Sequence, residues 1–110
     1  MRYLLFLILI FAVSCSDSNP LLSRLDHIDS IMDENPQAAY DSLCTIKKTQ
    51  NIASAKKVNM KWRMLMATAQ NKLYMQMPTD SAFSEVVAYY DRNGSDNEKM
   101  QSRYLLGCIY

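Results

Sequence analysis

The sequence has only two glycines, three prolines, one histidine and one tryptophan among 110 residues. So few glycines leave little material for the tight turns of a many-stranded β-fold or for a phosphate-cradling loop. A lone histidine with no Cys-x-x-Cys pair has no partners for a metal site or a general-base array. Neither charge is in excess, since 12 Lys and Arg stand against 11 Asp and Glu. That balance excludes the global basicity of a nucleic-acid-binding domain and the charge surplus of a disordered chain. The length suits one small domain, and no segment alternates with period two for long enough to read as a strand. What remains, with 49% hydrophobic residues, reads as all-α.

One long apolar run is present at the N-terminus. After Met1-Arg2-Tyr3, residues 4–13 (LLFLILIFAV) are unbroken by any polar side chain. Ten residues cannot span a bilayer, which takes about 20. A buried core helix would show a polar face, and this run has none. The pattern fits the hydrophobic region of a secretory signal peptide over residues 1–14. Ala12-Val13-Ser14-Cys15 resembles the lipobox of bacterial lipoproteins. That resemblance implies cleavage before Cys15, a diacylglycerol on its thiol and an N-acyl chain such as palmitate. Two or more acyl chains anchor stably where one is marginal. Residues 15–19 would then form a lipidated polar tether. Asp17 just after the cysteine resembles the surface-export signal of Bacteroidota lipoproteins, so periplasmic side and cell surface both stay open. Without Arg2 the mature chain carries 11 basic and 11 acidic side chains. Cys44 and Cys108 are left for a disulfide or for two packed thiols, and their apolar helical settings favour thiols.

The rest divides into five helices. Asn19-Pro20 and Asn35-Pro36 are N-cap and first-turn pairs. Leu21, Leu25, Ile28 and Met32 recur at helical spacing in the first helix, as do Ala39, Leu43 and Ile46, with Tyr40 and Cys44, in the second. A link of a residue or two between them implies an antiparallel hairpin. A longer helix is expected from about Ala53 to Gln76, with Val58, Trp62, Leu65, Ala69 and Leu73 on one face. Its methionines Met60, Met64, Met66 and Met75, with Met77 just beyond, suit soft metals in principle and gap-filling between helices far better. Phe83, Val86, Val87 and Tyr90 mark a fourth helix, closed by Gly94 at C′. Ser95 and Glu98 form a capping box for a fifth, which carries Met100, Tyr104, Gly107 and Cys108.

Residues 104–110 (YLLGCIY) look like the first helix of a tetratricopeptide repeat, with Leu106 and Gly107 followed three residues later by Tyr110. Residues 36–40 (PQAAY), continued by Leu43 and Ile46, match more loosely the second helix of such a repeat. Taken together, residues 20–110 resemble the N-terminal part of tetratricopeptide-type lipoproteins of Bacteroidota. The resemblance implies a stacked α-hairpin solenoid of about two and a half repeats, the last incomplete. Repeat-opening helices near residues 20, 52 and 95 sit 32 and 43 apart, against about 34 for this repeat. Such repeats bury their apolar faces only by stacking. The expectation is therefore an N-terminal fragment of a longer array, or an end covered by another chain.

Catalytic signatures are weak. Ser54 and Lys57 are formally S-x-x-K, and Ser95-Asp96-Asn97 is formally S-D-N, but the K-T-G element that accompanies them in serine β-lactamases is missing. No catalytic residue, cofactor or metal ligand is expected. Charge is distributed unevenly: residues 17–41 hold six acids and only Arg24, whereas residues 42–79 hold seven Lys and Arg and no acid. A solvated helix face, an acidic partner, or anionic lipid near Cys15 would each use that basic stretch.

Two functions follow as expectations. One is a lipid-anchored interaction scaffold of the bacterial cell envelope, whose concave face binds a protein or peptide. The other, implied by longer relatives of the resembled family, is the sensory part of a membrane transcriptional regulator. Neither calls for a small-molecule substrate or for nucleic acid in this segment.

Overall fold

The computed structural model describes residues 20–110. The expected signal peptide over 1–14, the lipid-bearing Cys15 and the tether over 15–19 lie outside the described residues. All regular structure among the described residues is helical: α1 (Pro20–Ile31), α2 (Pro36–Thr49), a 3-10 turn (Ile52–Ser54), α3 (Lys56–Lys72), α4 (Asp80–Asn93) and α5 (Asp96–Ile109).

The helix starts follow from local chemistry. Asn35 opens α2 by accepting the Ala38 N–H at 3.1 Å, with Pro36 at the first helical position. Thr79 caps α4 through the Ala82 N–H. Ser95 and Glu98 form the reciprocal capping box of α5, at 3.2 and 2.9 Å. Each such cap satisfies N–H groups that have no partner within the helix.

Elsewhere the boundaries depart from the sequence pattern. The α1–α2 link is four residues long, with Met32 buried inside it. The third helix begins at Lys56 rather than near Ala53, because the 3-10 turn tucks Ile52 into the core ahead of it. It also stops at Lys72, four residues before Gln76. The Met75 N–H bonds to the Gln70 carbonyl at 2.8 Å and the Tyr74 N–H to that of Asn71 at 3.3 Å. This is a Schellman closure with Tyr74 in the left-handed conformation (φ 57°) that usually takes glycine. Tyr74 is 96% exposed, so its ring makes no packing that would offset the strain. Tyr74→Gly is expected to raise stability by about 1 kcal/mol; an unchanged or lower thermal midpoint would contradict this. Gly94 behaves in the opposite way. It caps α4 in an extended conformation (φ −91°), not the left-handed one expected at C′. Its side-chain-free α-carbon accommodates Tyr90, since a Cβ there would lie 2.8 Å from the Tyr90 carbonyl oxygen and 2.9 Å from its ring.

Packing is organised around α3. Val58, Trp62, Leu65, Met66 and Ala69 join Leu25, Ile28 and Met32 before α2, and Ala39, Leu43 and Ile46 within it, in a first core. Met60, Met64 and Ala67, on the other side of α3, join Phe83, Val86, Val87 and Tyr90 of α4 and Leu105 of α5 in a second. The helix is therefore buried on two faces, one more than the stripe through Trp62 implies. Buried Met60, Met64 and Met66 fill the space between helices. The fifth helix turns the other way from its expected face. Leu105 and Ser102 are buried, while Met100 and Tyr104 are 66% and 64% exposed. A Cβ at Gly107 would meet nothing within 4 Å. Ser102, hydrogen-bonded to the Lys99 carbonyl, is buried one turn before Leu105 on that side of α5.

Candidate interaction surface

The charge segregation along the sequence becomes pairing between helices. Lys61 of α3 lies 3.8 Å from Asp26 and 3.7 Å from Asp29 of α1, and Lys72 lies 2.9 Å from Asp33 just after it. Partner numbers rise together, so α1 and α3 run in the same sense. Arg63 reaches the opposite way, to Glu85 at 3.3 Å and to the Ala82 carbonyl of α4. Arg103 and Asp91 tie α5 to α4 through two hydrogen bonds, the shorter 2.7 Å. These are exposed or half-exposed pairs, each worth about 0–1 kcal/mol. Their value is orientation more than stability.

Two grooves flank α3. One lies between α1 and the α4–α5 hairpin, lined by Leu22, Asp26, Lys57, Lys61, Tyr90 and Glu98. Its acids and bases largely compensate one another. The other lies between α2 and the start of α4, about 500 Å³ in volume, with α3 as its floor. Trp62, Met66 and Ala67 form that floor, Met77 and Pro78 the loop-side wall, and Lys47 and Arg63 bring the only charges. Trp62 is held by its indole N–H, which donates to the Leu43 carbonyl of α2 at 2.9 Å. The Lys47 ammonium sits 5.2 Å from the ring centre. Gln70 also lines the groove, and its side-chain oxygen is buried with no hydrogen-bond donor.

Tyr90 is the described group most shifted from its ordinary ionisation. Burial, reinforced by Glu98, Tyr89 and Asp29, pushes its phenol well above the usual tyrosine range. A folded-state value above the unfolded one means the contribution is intact below about pH 10 and is lost as pH rises beyond it. Tyr90→Phe is expected to flatten the decline of stability above that pH. An equally steep alkaline decline in the variant would show that Tyr90 is not its source.

The remaining candidates do not converge. His27 is exposed on α1, beside Arg24 in a shallow depression. The Ser95 hydroxyl is engaged as a helix cap, and Ser54 belongs to the 3-10 turn before α3. Cys44 and Cys108 are both free thiols, half-buried on α2 and exposed on α5 respectively, so Cys108 is not the packed thiol its apolar setting implies. Among the described residues no three His, Cys, Asp or Glu side chains are grouped to hold a metal ion. No helix among them is long and apolar enough to cross a membrane. What sequence reasoning missed is the α2–α4 groove, whose lining comes from three helices and a loop that share no pattern. The absence of any acid over residues 42–79 was its one trace.

Compared with known proteins, the chain matches no family model, no curated protein and no solved structure. The fold is thus defined at the level of class, an all-helical chain of five helices among the described residues.

Proposed function

We propose that the protein is a lipid-anchored helical-repeat scaffold of the bacterial cell envelope, held to the membrane through Cys15 and working by binding other proteins. The observation that carries this reading is the double burial of α3. Helix pairs lie on both of its apolar faces, which is how stacked α-hairpins build an elongated recognition surface from nearest-neighbour contacts. Helices α1, α3 and α5 start at Pro20, Lys56 and Asp96, 36 and 40 residues apart, against about 34 for a tetratricopeptide repeat. The apolar run at residues 4–13 and the small residues before Cys15 support the anchor.

Two measurements test the two halves of the proposal. A fatty-acid probe fed to cells should label the wild type and not Cys15→Ala; equal labelling of both removes the anchor. A photo-crosslinking residue at exposed helix positions should give a discrete higher-mass adduct in cells. Uncrosslinked monomer at every position would remove the scaffold.

A further inference from the structure

The two grooves beside α3 differ in charge, and that difference separates what each can hold. The groove facing α1 contains Asp26 and Glu98 beside Lys57 and Lys61. The groove between α2 and α4 has Lys47 and Arg63 and no carboxylate among its lining residues. Lys47 has no acidic partner among the described residues; its ammonium rests over the Trp62 ring. Arg63 gives its donors to one carbonyl and to Glu85, whose side chain is 59% exposed. A guanidinium has five N–H donors, so it can accept another carboxylate without first losing these partners. Between the two cations lies an apolar floor of Trp62 and Met66.

We propose that the α2–α4 groove binds an extended acidic peptide segment of a partner protein, with carboxylates on Lys47 and Arg63 and apolar side chains on Trp62 and Met66. This rests on the scaffold reading above and adds to it the place of binding and the chemistry of the partner. An extended segment fits because it presents alternate side chains to such a floor. Selectivity comes from charge. Lys47 without an acid and Arg63 with donors to spare admit carboxylates and repel lysines, whereas the compensated groove facing α1 discriminates neither way.

Trp62 is the sole tryptophan of the chain and lines this groove, so its emission responds to a ligand bound there. The full chain, purified in detergent, is titrated with a short peptide alternating Glu with Leu, and separately with the same peptide carrying Lys in place of Glu. The acidic peptide should change Trp62 emission saturably, with affinity that falls as salt rises. Lys47→Glu should weaken binding by about tenfold or more. Lys48→Glu makes the same change of charge at an exposed position outside the groove lining, and should leave affinity unchanged. Circular dichroism of both variants checks that the helices persist. Equal binding of the Lys peptide, equal weakening by both variants, or a flat Trp62 response overturns the proposal. So does an equal saturable response to vesicles containing anionic lipid, which would assign the cations to a membrane. Photo-crosslinked adducts that persist when no peptide binds would reject the groove and leave the scaffold standing. Loss of adducts at every position would reject both.

Discussion

Trp62→Ala is expected to lower the stability of the protein by about 3–5 kcal/mol, the range for deleting a large buried aromatic. Trp62 is 7% exposed at the centre of the first core, where it meets both α2 and the groove floor. Three contributions disappear together. The indole area returns its neighbours to a cavity, the N–H bond to the Leu43 carbonyl is lost, and Lys47 loses the ring beneath it. The cavity dominates, because a net hydrogen bond contributes about 1 kcal/mol and a surface cation over a ring about 0.5–1. The Leu43 carbonyl lies within α2 and has a second lone pair for a helical partner, so removing the indole does not orphan it. Trp62→Phe, which keeps most of the area and loses the N–H, should fall well short of the alanine cost. Urea unfolding followed by circular dichroism gives both values. Against a total of about 5–15 kcal/mol for a small protein, that loss is a large share of the whole. A loss below about 1 kcal/mol would mean that the first core does not depend on this ring.

Legibility in the sequence followed the range of the interactions. The Asn35-Pro36 opening, the Ser95–Glu98 capping box and the α4 stripe of Phe83, Val86, Val87 and Tyr90 are set within one or two turns, and all are present. Met60 and Met64 read as gap-fillers beside one stripe, yet they form a second buried face. Which side of a helix is covered depends on how many neighbours it has, and periodicity in α3 alone does not count them. Leu105 and Tyr104 pose the same problem on α5, where apolar residues surround the helix and tertiary packing selected the side bearing Ser102. Tyr74 was illegible for another reason, since its left-handed conformation follows from where α3 must end and not from any preference of tyrosine. The α2–α4 groove joins Lys47, Trp62, Gln70 and Met77, residues brought together only by packing. The charge contrast along the chain was plain, but its consequence was not: Asp26, Asp29 and Asp33 neutralise Lys61 and Lys72, leaving Lys47 without an acid among the described residues.

Phe83→Ala should cost as much as the tryptophan change, about 3–5 kcal/mol, and should act on a different part of the molecule. Phe83 is 1% exposed on α4 and belongs wholly to the second core, with Met60, Met64, Val86 and Leu105. The two cores have no buried residue in common and lie on different faces of α3. In a stack held by nearest-neighbour contacts, a lesion in one interface lowers the free energy of opening that unit first. Native-state hydrogen exchange of Phe83→Ala should therefore show faster exchange across α4 and α5. Protection across α1 and α2 should stay close to that of the wild type. Trp62→Ala should reverse the pattern, with α1 and α2 exposed first. Uniform loss of protection in both variants would mean that α3 couples the cores into one cooperative unit, and that the protein is a single small domain rather than a stack. The distinction bears on function as well as folding. Units that open separately let one face of α3 reorganise around a partner while the other keeps its shape, and a single cooperative core would require both to move together.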